Sequence, residues 1–156
     1  MRLAAGFSAC RAGVVCALVY GFAAISAGAA VMPSDADMQA HQHAIANALA
    51  LAAQVQARVV DYRQTNKAFP SSNAEAHVNP PTMIASADVK SISVRGEGVV
   101  EVTLTATSGV DDGVIVLTPA APKTSNDGNI EWHCASASYA TISDMTGGQC
   151  AYSKLP

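Results

Sequence analysis

The stretch Ile130-Glu131-Trp132-His133-Cys134, followed by a second cysteine at position 150, decides the fold that this sequence predicts. Ile130, Trp132 and Cys134 alternate with Glu131 and His133, and this period of two is typical of a β-strand that buries one face. The stretch therefore predicts a terminal strand whose Trp132 side lies on the core and whose Glu131 side faces solvent.

Cys134 and Cys150 are the only cysteines outside the N-terminal apolar segment. A bridge between them would close a loop at the turn formers Gly147 and Gly148 and hold the C-terminal tail on the strand that carries Trp132. Closing a loop of this size is worth roughly 3 kcal/mol in the chain-entropy model. Because the N-terminus predicts export into an oxidising compartment, pairing is favoured over the alternative of two unrelated thiols.

The length of 156 residues indicates one domain with an N-terminal extension. Arg2 and Arg11 lie in that extension, so the rest of the chain has seven basic residues against 12 acidic ones. A surface that holds nucleic acid by bulk electrostatics needs a basic stripe, and anionic lipid likewise attracts basic segments. The acidic balance therefore argues against both kinds of partner.

Residues 1–30 have the three-part pattern of an export signal. Two arginines at the start precede the apolar stretch 12–25, and a run of small residues, Ser26 to Ala30, follows. A signal peptidase would cut near Ala29 or Ala30. The apolar core of about 14 residues is shorter than the ~20 residues of a membrane span, although continuing through Ala30 lengthens it toward that size. Both interpretations place the remainder of the chain outside the cytoplasm.

Residues 37–65 have the periodicity of one long helix. Side chains at three- and four-residue steps form a single stripe, namely Met38, His41, Ile45, Leu49, Ala52, Val55, Val59 and Tyr62. Ser34 or Asp35 can cap the start, and Phe69-Pro70 ends the helix because the residue before proline is disfavoured in the α region. Such a helix is roughly 40 Å long, so part of it is expected to project or to pack against a neighbour.

Residues 88–135 predict a four-stranded antiparallel sheet. Strand periodicity is found in four runs, 89–94, 100–106, 114–118 and 129–135. Short turns, Gly96-Glu97-Gly98 and Asp111-Asp112-Gly113, join successive runs, so neighbouring strands should pair antiparallel in chain order. The helical stripe is the large apolar surface that can cover one face of this sheet, and the predicted fold class is α+β.

The order of these elements, together with three local strings, resembles the type IV pilins. That family has a long N-terminal helix, a connecting loop, a four-stranded antiparallel meander and a C-terminal disulfide loop. The similar strings are Val59-Val60-Asp61-Tyr62 with Asn66, Lys67 and Phe69-Pro70-Ser71-Ser72, then Val89-Lys90-Ser91-Ile92-Ser93-Val94 with Gly98 to Leu104, and Val116-Leu117-Thr118-Pro119 with Gly128-Asn129-Ile130-Glu131-Trp132-His133-Cys134. Each string is weak alone, but their order and spacing over residues 40–156 make the combination specific.

The resemblance implies a structural subunit of a type IV pilus or pilus-like fibre that supports cell adhesion, and not an enzyme. Its partners would be other pilin subunits, contacted through the N-terminal helix, and the inner membrane before assembly if the apolar segment is retained. The chain would be exported to the surface or periplasm of a Gram-negative bacterium. The implied domains are residues 1–30, a signal peptide or prepilin-type apolar segment, and residues 34–156, a pilin-like domain with a disulfide loop at 134–150.

The N-terminus departs from the family pattern, in which a short basic leader ends in Gly, Phe follows, and Glu is the fifth mature residue. Gly6 and Phe7 fit a prepilin-type processing site, but Arg11 occupies the place of that Glu. Because the family's Glu is implicated in subunit registration, two interpretations stay open. The segment is cut after Gly6 and retained as a pilin helix, or it is cut near Ala29 or Ala30 and leaves a soluble periplasmic protein that does not assemble.

The sequence contains no arrangement that predicts catalysis, a cofactor or a metal site. His41 and His43 are two residues apart on a helix and therefore point in different directions. His77 has no Cys or carboxylate at ligand spacing, and His133 alternates outward from Trp132. The pair Asp111-Asp112 is typical of a solvated turn, with weak calcium binding as the minor alternative. No Gly-rich phosphate loop or nucleophile elbow is present in the sequence.

Overall fold

A computed structural model describes residues 34–120 and 130–153, and its dominant element is helix α1, Asp35–Asn66, of 32 residues. Ser34 caps the helix because its hydroxyl accepts from the backbone N–H of Asp37 at 3.2 Å, while the Asp37 carboxylate accepts from the N–H of Ser34 at 3.0 Å. Lys67 ends the helix in the left-handed region, with φ 59°. The predicted helix, residues 37–65, therefore lies within the observed one and is slightly shorter.

Helix α1 buries a narrow face made largely of small side chains. The fully covered residues are Ala44, Ile45, Ala48, Ala52, Val55 and Val59. Ile45, Ala52, Val55 and Val59 belong to the stripe that periodicity predicts, whereas Met38, His41, Leu49 and Tyr62 are only half-buried. The buried face is therefore centred on Ala44, Ile45, Ala48 and Ala52, and the predicted stripe lies partly at its border.

The sheet has the predicted antiparallel meander and one further strand. Its strands are β1 (Val89–Arg95), β2 (Val99–Leu104), β3 (Val114–Ala120), β4 (Glu131–Ser136) and β5 (Cys150–Tyr152), in that spatial order. The first three pairings are antiparallel, and β5 pairs with β4 in parallel. A strand of three residues is too short to produce a recognisable period, so β5 is not predicted by alternation.

The core lies between α1 and one face of the sheet, which confirms the predicted α+β arrangement. The buried strand residues alternate except at a register irregularity between Val89 and Ser91 of β1. They are chiefly Val89, Ile92, Val94, Val100, Val102, Leu104, Ile115 and Leu117. Each fully covered aliphatic side chain stabilises the fold by roughly 1.5–3 kcal/mol. Strand β2 ends at Leu104, so Ala106, which alternation assigns to the strand, is instead the exposed first residue of a short 3₁₀ turn, Ala106–Ser108.

Gly98, in the β1–β2 turn, allows the end of α1 to pack closely on the sheet. A Cβ at this position would lie 2.8 Å from a ring carbon of Phe69 and 3.0 Å from a methyl carbon of Val59, and the backbone φ is +74°. The N–H of Gly98 donates to the carbonyl of Pro70 at 2.9 Å. A glycine is therefore required here both by space and by backbone conformation.

The proposed processing sites at Gly6, Phe7, Ala29 and Ala30, together with Arg11, lie outside the residues that the structure describes. Among the helices that are described, none combines the length and the apolar character needed to cross a membrane.

Candidate functional site

A disulfide between Cys134 and Cys150 closes the C-terminal segment, with a Cα–Cα distance of 4.5 Å. The two cysteines are register partners on β4 and β5, so the bridge lies across the parallel pair. Cys150 is buried, and Cys134 and Trp132 pack against the edge of the core. We call residues 134–150 the bridged segment.

Tyr139 fixes the first half of the bridged segment on the sheet. Its ring is 4% exposed, and its hydroxyl lies 2.6 Å from the hydroxyl oxygen of Ser108, which is itself buried. A Cβ at Gly113 would be 2.0 Å from the Tyr139 hydroxyl oxygen, so the close approach needs a glycine there. Burial raises the pKa of the Tyr139 phenol, and the hydrogen bond with Ser108 offsets part of this shift.

Two serines add backbone contacts beside this tyrosine. The Ser136 hydroxyl donates to the carbonyl of Val114 at 2.5 Å, and the Ser138 hydroxyl accepts from the N–H of Val114 at 3.0 Å. The N–H of Ser138 in turn donates to the Ser136 hydroxyl at 3.1 Å. The start of β3 is thus held by side chains of the bridged segment where the regular β3–β4 ladder has ended.

The second half of the bridged segment is a short helix and a glycine turn. Helix α2, Ile142–Met145, buries Ile142, and Thr146 follows it. The Thr146 hydroxyl accepts from the N–H of Cys150 at 3.0 Å. Gly147 and Gly148 both have positive φ, which confirms the turn that these two glycines predict.

The exposed surface of the bridged segment is small or polar in character and almost uncharged. Its solvent-facing residues are Ala137, Ala140, Thr141, Ser143, Asp144, Gly147, Gly148 and Gln149. The hydroxyl and amide groups among them can recognise a partner by hydrogen bonds.

The solvent-facing side of α1 has no charged residue over most of its length, a feature that periodicity alone does not reveal. Neither Asp, Glu, Lys nor Arg occurs between Asp37 and Arg58. The exposed residues of this stretch are small or uncharged: Gln39, Ala40, Gln42, His43, Ala46, Asn47, Ala50, Ala53, Gln54 and Ala57. We call this surface the outer face of α1. The missing charge is itself a sequence signal, because a helix face that meets only water is usually charged.

Asp111 and Asp112 lie in the exposed β2–β3 turn, where they bind a lysine. Their carboxylate oxygens are 2.7 and 2.8 Å from the Lys90 ammonium. Hydrogen bonds to the two carboxylates raise the pKa of Lys90, and the hydrogen bond from Lys90 lowers the pKa of Asp111. The turn assignment is confirmed, and both carboxylates form an ion pair with the Lys90 ammonium.

The four histidines are dispersed over the domain. The His41 ring lies against Gly109, His43 and His133 are exposed, and His77 is an exposed residue of the loop after α1. Within residues 34–120 and 130–153, no group of three or more His, Cys, Asp or Glu side chains is placed to hold a metal ion.

A comparison with known protein families found a match to most of this domain. A family model described as pilin, a bacterial filament protein, matches residues 44–150, which is more than half of the chain. The matched range begins in the buried part of α1 and ends at the second cysteine of the disulfide. No curated protein matches the chain.

Proposed function

The chain belongs to the pilin family of bacterial filament proteins, and from this premise we propose that it is a subunit of a type IV pilus or pilus-like fibre. The family is one of structural fibre proteins, and its members assemble with other pilin subunits. The proposed contact between neighbouring subunits is the outer face of α1, and the bridged segment is proposed to remain on the fibre surface.

The uncharged outer face of α1 is the observation that carries this proposal. Small side chains such as Ala46, Ala50, Ala53 and Ala57 allow two helices to approach at the short end of the usual 8–10 Å interaxial range. Burying such a surface removes no charge from water, whereas burying a lysine or glutamate would require a paired partner. The face is therefore suited to contact with another helix.

Introducing a charge on the outer face of α1 tests the proposal. Ala50→Arg would place an unpaired charge in the contact, and an uncompensated buried charge costs about 3–5 kcal/mol. The expected result is at least a tenfold loss of protein from the fibre fraction sheared off the cells, with the cellular amount and folding unchanged.

Gln64→Arg provides the matched control. Gln64 is exposed on the same helix beyond Arg58, outside the uncharged stretch, so the same charge there should leave the fibre fraction unchanged. Equal fibre yield for Ala50→Arg and the native chain would contradict contact through the outer face. Absence of the native chain from the fibre fraction would contradict the filament proposal itself.

We propose a surface and adhesion role for the bridged segment because its exposed residues present hydroxyl and amide groups on a covalently closed frame. In this proposal the segment contacts other cells or surfaces, and the chain is exported to the cell surface. Replacing exposed Thr141 and Gln149 by Ala should lower adherence of piliated cells without lowering fibre yield. A loss of both in parallel would assign the two residues to assembly instead.

A soluble periplasmic pilin-like protein is the competing proposal, favoured by Arg11 and by the small residues before Ala30. The two proposals predict different mature N-termini. A chain that starts at Phe7 supports the fibre subunit, in which the apolar segment anchors the protein in the inner membrane before assembly. A chain that starts at Ala30 or Val31 supports the periplasmic protein. N-terminal sequencing of the mature protein separates them.

A further inference from the structure

We infer that the bridged segment is fastened to the sheet at two separate places, and that the disulfide controls only one of them. The first place, which we call the tyrosine latch, consists of Tyr139, Ser136 and Ser138 bound to Ser108, Gly113 and Val114. The second, which we call the bridged end, is residues 149–153, that is Gln149 and strand β5 with Ser153. This division is independent of the filament proposal, because it concerns only contacts within one chain.

The tyrosine latch does not depend on the cysteines for its contacts. Tyr139 and Ser108 are both buried, and the hydroxyl oxygen of Tyr139 is close enough to Gly113 to exclude a side chain there. Ser136 and Ser138 bind both polar backbone groups of Val114. Ile142, fully buried just after the latch, adds apolar contact with the core. Hydrogen bonds and burial thus hold residues 136–142 from both sides of the β2–β3 turn.

The bridged end has far fewer contacts of its own. Strand β5 has three residues, and Cys150 is the buried one, while Ala151, Tyr152 and Ser153 are exposed. Beside the ladder with β4, residues 149–153 have three polar contacts: the Gln149 N–H donates to the Thr146 carbonyl at 3.3 Å, the Cys150 N–H donates to the Thr146 hydroxyl, and the Ser153 N–H donates to the Ser136 carbonyl at 3.0 Å. Such short pairing at a sheet edge is marginal without additional support. The disulfide supplies that support.

Gly147 and Gly148 separate the two places. Both glycines have positive φ, and a Cβ added to either would meet no atom within 4 Å. The chain between α2 and β5 is therefore open on the side where a side chain would point, while the N–H of Gly148 donates to the carbonyl of Ser143 at 2.7 Å and holds the turn on α2. A glycine pair with positive φ between the latch and the weakly held β5 is a suitable boundary between the two places.

Reduction of the disulfide is expected to release only the bridged end. An external dithiol transfers two electrons and two protons to the bridge, which leaves Cys134 and Cys150 as thiols and the reagent as its own cyclic disulfide. After this step, β5 is retained by its three-residue ladder, by the Thr146 and Ser136 contacts and by the burial of the Cys150 side chain. The tyrosine latch keeps all of its hydrogen bonds, because none of them involves a cysteine.

Amide hydrogen exchange of the full chain tests this division. Under reduction, or in the double variant Cys134→Ser with Cys150→Ser, amides of residues 150–153 should exchange at least about tenfold faster, while the amide of Val114 stays protected. In oxidised Tyr139→Ala, the Val114 amide should accelerate at least about tenfold and residues 150–153 should be unaffected. Tyr152→Ala, at an exposed tyrosine, is the control that should change neither the Val114 amide nor the latch.

Faster amide exchange at both Val114 and residues 150–153 in either experiment would overturn the inference. It would show that the bridged segment opens as one cooperative unit. If Tyr139→Ala does not fold, Tyr139→Phe keeps the ring and removes only the hydroxyl. It should then accelerate the Val114 amide by a smaller factor, again without effect on residues 150–153. No change at Val114 in Tyr139→Phe together with full protection of residues 150–153 after reduction would equally contradict it.

Discussion

Asn73 shows how one side chain can complete the exposed edge of a sheet. Strand β1 is the first strand of the sheet, so one side of its backbone has no neighbouring strand. The Asn73 amide donates to the carbonyl of Ile92 at 3.0 Å and to that of Asn79 at 2.8 Å, while its oxygen accepts from the N–H of Val94 at 2.6 Å. The side chain therefore takes the place of a strand neighbour over two residues of β1.

Asn73→Ala is expected to destabilise the domain by about 3 kcal/mol, because two buried backbone groups lose their partner. Denaturant unfolding monitored by circular dichroism measures the change. Asn79→Ala is the matched control, because Asn79 is exposed and contributes only its backbone carbonyl to this contact. A loss for Asn73→Ala no larger than that for Asn79→Ala would show that solvent replaces the amide without cost.

Tyr139 makes the stability of the domain sensitive to alkaline pH. Burial raises the pKa of this phenol above that of an unfolded tyrosine, so the folded state retains the proton to a higher pH. Its contribution is fully present below the unfolded pKa of about 10 and is lost as pH rises toward and through the folded pKa.

We expect the unfolding free energy to fall as the pH rises above about 10, because the unfolded tyrosine then loses its proton while the folded one retains it. The fall should be smaller in Tyr139→Phe and unchanged in Tyr152→Phe, whose exposed phenol serves as the control. Lys90, whose pKa is also raised, contributes a decrease of the same sign in all three proteins. If the unfolding free energy of the two variants depended on pH in the same way, Tyr139 would not be the source of the alkaline fall.

At the scale of elements, α1 and the first four strands follow from patterns that are local in the sequence. Ser34 and Asp37 lie within one turn of each other, so their reciprocal capping is visible as soon as the helix is assigned. The alternation of Val100, Val102 and Leu104 likewise identifies β2 and its buried face. Such features can be predicted from the sequence with only the geometry of a helix or a strand.

Ser34→Ala is expected to destabilise the domain by about 1 kcal/mol, because it removes the side-chain acceptor of the capping box. The substitution should also weaken the first turn of the helix locally, so the amide of Asp37 should exchange faster than in the native chain. Gln39→Ala, further along the helix and exposed, is the control and should leave both quantities nearly unchanged. An equal effect of the two substitutions would indicate that the first turn is frayed in solution.

Features that join distant residues could not be predicted from the sequence. The Tyr139 ring needs Gly113 and Ser108, which precede it by an entire hairpin, and no local period connects them. Ala44 and Ala48 were missed because alanine occurs on buried and exposed helix faces alike. The disulfide could be predicted because export and the distribution of cysteines leave few alternatives, whereas β5 has only three residues and pairs with β4 across a separation of 16 residues.

At the scale of the whole molecule, one core and one covalent link hold the described domain together. The core extends from Ile45 on α1 through the sheet to Ile142, and Cys150 is part of it. The disulfide therefore limits the freedom of the unfolded chain in the same region that the core orders when folded.

Replacing both Cys134 and Cys150 by Ser is expected to lower the unfolding free energy by about 3 kcal/mol, the value for a loop of this length. The denaturant dependence should become steeper, because an unbridged unfolded chain exposes more surface. Reducing the native protein should reproduce the same loss. A loss under reduction that differs from that of the double variant would indicate that the serine hydroxyls, and not the missing bond, account for the change.

The closed edge of β1 also limits how copies of this chain can join. Asn73 occupies the carbonyl of Ile92 and the N–H of Val94 on β1, and β5 presents only three residues at the other edge. Neighbouring molecules consequently have few free backbone groups at the sheet edges for strand pairing, and we expect them to make contact through side chains. A filament made in this way would lack the continuous cross-β ladder of amyloid. It should not bind amyloid-specific dyes, and it should dissociate in detergents that leave amyloid intact.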